Sequence, residues 1–157
     1  MINKTQALNT ERRLLCLGLG LLPIWSFAAT QKPVIQMWKS PTCGCCQDWA
    51  NHIEANGFVI KAYTEGNEEI RKKLGMPIQF GSCHTALIDG YAIEGHVPAR
   101  EIKRLIAEKP KAIGLTVPAM PIGSPGMDGP EYKGKKDPYD VLLIGLNGKP
   151  SVYQSYD

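Results

Sequence analysis

The chain has 157 residues, enough for one domain with a buried core, and a formal charge of only +3. Much of that excess sits at the N-terminus in Lys4, Arg12 and Arg13, so no basic stripe is left to mark a nucleic-acid-binding face. Arg12-Arg13, the apolar run Leu14 to Leu22 and the small residues of Ser26-Phe27-Ala28 follow the order of a secretory signal, too short for a membrane span. Residues 1–28 are therefore expected to be a signal peptide, cut after Ala28 or alternatively Ala29. The Arg12-Arg13 pair leaves the general secretory and twin-arginine routes both open. Residues 29–157 are expected to be an exported, periplasmic domain with no membrane association after cleavage.

Val34-Ile35-Gln36-Met37-Trp38 reads as a buried strand between Pro33 and Ser40-Pro41. Cys46, Trp49, Ala50 and Ile53 then recur at helical spacing, and Asn56-Gly57 stops that helix. Phe58 to Tyr63 is a second strand. Glu68 to Leu74 is a short helix, ended by Gly75 and Pro77. Thr85 to Ile88 and Tyr91 to Glu94 flank Asp89-Gly90, a strong hairpin signal. Pro98 opens a third helix with an apolar face of Ala99, Ile102, Leu105 and Ile106, and Pro110 ends it. Gly114 to Pro138 is rich in Pro and Gly without periodicity, and its Lys133, Lys135 and Lys136 read as a solvated charge run. Val141 to Leu146 and Ser151 to Tyr156 form a final hairpin, with Pro150 favouring an edge. The order strand, helix, strand, helix, strand, strand, helix is that of a thioredoxin. The expected fold is α/β, a thioredoxin-like mixed sheet flanked by helices. Residues 113–157 would add a Pro/Gly/Met loop and a hairpin.

Five cysteines occur, and Cys16 would leave with the signal. Cys43-Gly44-Cys45-Cys46 follows the first strand and stands where a helix begins. There the helix dipole favours thiolate, the form that both attacks disulfides and binds metals. Two chemistries compete. In a thiol–disulfide oxidoreductase Cys43 would attack and Cys46 resolve; in a metal site all three sulfurs would bind together. Cys45 is redundant for exchange, and the facing segment Ser82-Cys83-His84-Thr85 carries a cysteine and a histidine where redox relatives keep a proline. Both features favour metal.

Thiolates select Cu(I), zinc or iron–sulfur clusters. Zinc sites usually draw on two separated pairs, so three sulfurs in one turn with Cys83 opposite suit several thiolate-bridged copper ions better. Met120 and Met127, in an aperiodic loop, could add thioether donors that zinc rarely uses. His84 is a further candidate ligand. His52, His96, Met37 and Met76 read as structural, packing or solvated residues.

Taken with the turn after Lys39-Ser40-Pro41-Thr42, three more motifs resemble the CopG-type copper-resistance family. They are Ser82-Cys83-His84-Thr85, Glu94-Gly95-His96-Val97-Pro98 and the loop closing in Met127-Asp128. This family is a periplasmic metal-binding group first described as a domain of unknown function. The resemblance implies a thioredoxin-like fold, periplasmic copper resistance and a copper cluster bridged by Cys43, Cys45, Cys46 and Cys83. It also implies interconversion of Cu(I) and Cu(II), which would make the chain a copper oxidoreductase. A periplasmic thiol–disulfide oxidoreductase and a single-ion Cu(I) chaperone remain the alternatives. A further periplasmic copper-handling or redox protein is the expected partner.

Overall fold

The computed structural model describes residues 31–157, and the expected signal peptide lies outside the described residues. Strand β1 (Val34–Lys39) leads into helix α1 (Gly44–Ala55), then strand β2 (Val59–Tyr63) and the short helix α2 (Glu68–Lys73). Strands β3 (His84–Ile88) and β4 (Tyr91–Glu94), helix α3 (Ala99–Glu108) and strands β5 (Ala112–Thr116), β6 (Tyr139–Gly145) and β7 (Pro150–Tyr156) complete the chain. The strands form one mixed sheet in the order β2-β1-β3-β4-β5-β6-β7. β1 pairs with β2, and β4 with β5, in parallel; all other neighbours are antiparallel. None of the described helices is long and apolar enough to cross a membrane.

Each element follows from its local pattern. Ile35 and Met37 alternate inward along β1, and Cys46, Trp49, Ala50 and Ile53 form the buried face of α1. Ile102 and Leu105 of α3 are likewise fully buried, each such side chain contributing about 1.5–3 kcal/mol. Trp49 also donates its indole N–H to the Val97 carbonyl at 2.9 Å, so the largest core side chain leaves no polar atom unpaired. Between β3 and β4, Asp89 and Gly90 both adopt positive φ (47° and 83°), the backbone that a two-residue hairpin turn requires. Pro150 begins the outermost strand, where its missing N–H costs no sheet bond.

One expectation needs correction. The stretch read as aperiodic from Gly114 begins inside β5, which joins the first four strands to the final hairpin in a single sheet. Its pairing slips between Ala112 and Gly114, and a Cβ on Gly114 would run into the Ala92 carbonyl. Glycine marks a close approach of two strands here, not a loop.

Register then gathers distant residues at one end of the sheet. Lys39 at the end of β1 pairs with His84 at the start of β3. Thr85 pairs with Glu94, and Glu94 with Thr116 at the end of β5. The cysteine turn, the Cys83 segment, His96 and the loop after Thr116 therefore meet.

Candidate metal centre

The cysteine turn is held by its own backbone. The Cys43 N–H donates to the Ser40 carbonyl at 3.2 Å, and Cys43 precedes the first residue of α1 with extended geometry. The buried Lys39 ammonium donates to the Ser40 and Cys43 carbonyls at 3.2 and 3.4 Å. Within this turn Cys43 and Cys46 are joined by a disulfide, whereas Cys45 and Cys83 are free thiols. The Cys45 sulfur lies 3.6 Å from that of Cys43, and the four sulfurs all lie within 4.8 Å of one another. Four sulfurs from two segments far apart in sequence thus form one cluster able to hold metal.

Cys83 links this cluster to a second group, with His84 and His96, whose ligand atoms also lie within 4.8 Å of each other. Burial, reinforced by the neighbouring Cys45 sulfur, pushes the Cys83 thiol up to about 12, so without metal it keeps its proton at neutral pH. Its partner is His96, with Nε2 at 3.0 Å from the sulfur. His96 Nδ1 lies 2.7 Å from the Pro125 carbonyl, which can only accept. The Nδ1 proton is therefore fixed, and the Nε2 lone pair faces Cys83. Burial holds this imidazole below its ordinary value, in the neutral form a metal needs. Of the two readings offered for His96, structural or solvated, the structure excludes the second: it is fully buried beside a cluster sulfur.

His84 is also fully buried, packed on Trp49 at 4.3 Å between ring centroids, with Nδ1 3.5 Å from the Cys83 sulfur. Burial first, then His96, holds it well below the ordinary imidazole value. Its Nε2 finds no hydrogen-bond partner among the described residues, the kind of buried orphan that costs about 1–3 kcal/mol when left so. Two free thiols, Cys45 and Cys83, and two neutral imidazoles, one of them with an orphaned ring nitrogen, are a donor set that fits a soft or borderline metal ion, and opening the Cys43–Cys46 bond would add two more thiols. His52 behaves as read from the sequence, accepting the Ala99 N–H at 3.2 Å to tie α1 to α3.

The two loop methionines part company. Met120 places its sulfur 3.8 Å from that of Cys45, following Ala119, whose left-handed backbone (φ 60°) turns the chain. Met127 instead accepts the Tyr132 hydroxyl at 3.4 Å and pins the loop to itself. Gly126 lets this loop lie on α1: with φ at 84°, a Cβ there would meet the Cys45 carbonyl at 2.6 Å and the Trp49 nitrogen at 2.7 Å. That contact carries Pro125 to His96.

A buried ion pair, not foreseen from the sequence, holds the Cys83 segment. The fully buried Glu94 carboxylate accepts Arg71 Nε at 2.9 Å, the Ser82 N–H at 2.7 Å and the Thr85 hydroxyl at 2.6 Å. Arg71 also donates to the Ser82 carbonyl at 2.6 Å, so both backbone polar groups of Ser82 are clamped. The Ser82 hydroxyl continues the chain of bonds to the Ala119 carbonyl at 2.6 Å, next to Met120. Beside these residues a cleft of about 360 Å³ reaches Cys83 between Ile78, Gly81, Ala119 and Met120. A larger cleft, about 770 Å³, lies by Trp38 and Glu65 to Ile70 and holds no soft donor.

Comparisons with known proteins bear on this arrangement. A family model described as a protein of unknown function, DUF411, matches residues 80–127, which contain Cys83, His84, His96 and Met120 but not the cysteine turn. A solved structure of a copper resistance protein copG, form 2, is similar at 40% identity and a TM-score of 0.74, over 80% of this chain and 99% of that one. Form 1 is similar at 40% identity and a TM-score of 0.73, over 80% of this chain and 98% of that one. No match is found among the curated proteins.

Proposed function

The chain belongs to the CopG copper-resistance family, and from that premise we propose that it is an exported protein that holds several copper ions on the shared thiolates of Cys43, Cys45, Cys46 and Cys83. The observation that carries this reading is the convergence of four sulfurs from two separate segments within 4.8 Å. A thiolate can bridge two soft ions, so four thiolates in one patch serve more ions than four isolated ligands would. His96 and His84 stand ready as neutral imidazole ligands, and Met120 offers a thioether at the edge of the cluster.

Copper bound here would supply one-electron redox chemistry. The chain's own part is to present thiolates and thioether, which favour Cu(I), beside imidazoles, which tolerate Cu(II). That mixture supports a role in interconverting the two states, with the loop around Met120 covering the site. The first four strands with their helices are read as a thioredoxin-like core, and residues 113–157 as the family's extension. Residues 1–28 would direct export to the periplasm, where a further copper-handling or redox protein would exchange ions or electrons with it.

A thiol–disulfide oxidoreductase is the second reading, favoured by the Cys43–Cys46 disulfide at a helix start. Copper content per chain separates the two. With shared thiolates, reduced protein carrying Cys45→Ser loses more than one copper ion. Loss in simple proportion, or no copper in either protein, would return the site to exchange chemistry.

A further inference from the structure

The cluster contains two kinds of sulfur. Cys43 and Cys46 share a bond, and Cys45 and Cys83 do not. A disulfide sulfur has no thiolate to offer, so in this state only Cys45 and Cys83 can bind a metal as thiolates. They come from opposite sides of the site, and each brings one neutral donor. Cys45 lies 3.8 Å from the Met120 thioether, and Cys83 lies 3.0 Å from His96 Nε2, whose lone pair is fixed by the Pro125 carbonyl. Cys83 is common to both groups, within 4.8 Å of the Cys45 sulfur on one side and of His96 on the other, so two thiolates, one thioether and one imidazole could close on one Cu(I) ion with a small inward shift of the outer donors.

We propose that the disulfide form of this protein is a distinct one-copper site built from Cys45, Cys83, His96 and Met120, and that opening the Cys43–Cys46 bond with a dithiol converts it to the several-ion form. The inference rests on the copper-cluster reading for its second state only. Burial decides where a reductant attacks. Cys46 is fully buried and Cys43 is not, so the incoming thiolate reaches Cys43. A mixed disulfide forms on Cys43, and Cys46 leaves as thiolate and takes up a proton. The second thiol of the reductant then displaces Cys43, which is protonated in turn. Two electrons and two protons pass from the dithiol to the protein, and the dithiol leaves as its own disulfide. Two thiols then join the two already present.

The test counts Cu(I) per chain in both states, using full-length protein with Cys16→Ser so that every thiol belongs to the site. One sample stays in the disulfide form, verified by a free-thiol assay finding only Cys45 and Cys83. The other is reduced with dithiothreitol and desalted without oxygen. Both are titrated anaerobically with Cu(I) acetonitrile complex. The expected result is one ion in the disulfide form, abolished by Cys83→Ser, and several ions after reduction. A Cys43→Ser/Cys46→Ser variant should hold one ion whether or not reductant is present. No ion in the disulfide form overturns the inference. Several ions in both states also overturn it while leaving the cluster reading intact, whereas one ion in both states overturns the cluster reading as well.

Discussion

The two sides of the sulfur cluster are built by opposite means. On one side, Cys43, Cys45 and Cys46 are brought together by a single turn, and the four residues from Cys43 to Cys46 suffice to explain their proximity. On the other, Cys83, His84 and His96 meet only because β3 pairs with both β1 and β4, and because Arg71 and Glu94 grip the Ser82 backbone. The turn is local and partly exposed, whereas the facing side is long-range and buried. Its position depends on polar groups that must all be satisfied at once. Substitutions should therefore separate the two: damage to the facing side should cost stability and copper together, while changes at the turn should cost copper mainly.

The sharpest break is Arg71→Met. It leaves the Glu94 carboxylate buried without its ion partner and frees the Ser82 carbonyl, so unfolding free energy should fall by about 3–5 kcal/mol. Urea denaturation of the metal-free variant measures it. A loss below about 1 kcal/mol would show that the clamp does not hold this side.

Acid should act next, and on the facing side through His84 and His96. Both imidazoles are held below 6.5 in the folded chain, chiefly by burial, whereas the unfolded chain takes up their protons at 6.5. Unfolded protein thus binds more protons below that pH. Their stability contribution is complete above pH 6.5 and is lost as pH falls below it, by up to about 1.4 kcal/mol per pH unit for each histidine. His52, also lowered by burial, adds to the loss with the same sign. Denaturation midpoints for metal-free protein between pH 7.5 and 5 should show this slope, and a flat profile would mean that the imidazoles are not held neutral.

Gly126→Ala tests the contact between the sides. Its methyl group would meet backbone of Cys45 and Trp49, so the loop must lift from α1 at a cost of about 1–3 kcal/mol. Cu(I) affinity should fall as Pro125 moves from His96. The smallest effects belong to the methionines. Met120→Leu should weaken Cu(I) binding on the order of tenfold, about 1.4 kcal/mol, and Met127→Leu should leave it unchanged. Competition with a Cu(I) chelator reads both, and equal effects would erase the distinction that their contacts draw.

How much of this was legible in the sequence follows the same division. The cysteine turn, the apolar face of α1 and the Asp89-Gly90 hairpin could be read because each is written within a few neighbouring residues. The thioredoxin-like order of elements sets the Ser82-Cys83-His84-Thr85 segment opposite the turn, so Cys83 and His84 could be expected near it, although their register against β1 could not. His96 reads as structural or solvated in the sequence, because its setting comes from a carbonyl 29 residues away and from burial that no local pattern encodes. Arg71 and Glu94 were hidden for a related reason: a charge on a short polar helix and another at a strand end look solvated until the fold buries them. β5 was obscured by its glycine, whose meaning lies in the neighbouring strand. Met120 and Met127 looked equivalent by composition, and only their partners, Cys45 and Tyr132, separate them.

The central claim is that sulfurs from both sides act as one metal-binding unit. Copper K-edge X-ray absorption on reduced, copper-loaded protein tests it most directly, compared with the same protein carrying Cys83→Ser. The account predicts a sulfur-dominated first shell with copper–copper scattering beyond it, and loss of the copper–copper signal when Cys83 is replaced. A first shell of nitrogen and oxygen, or a copper–copper signal untouched by Cys83→Ser, would contradict it.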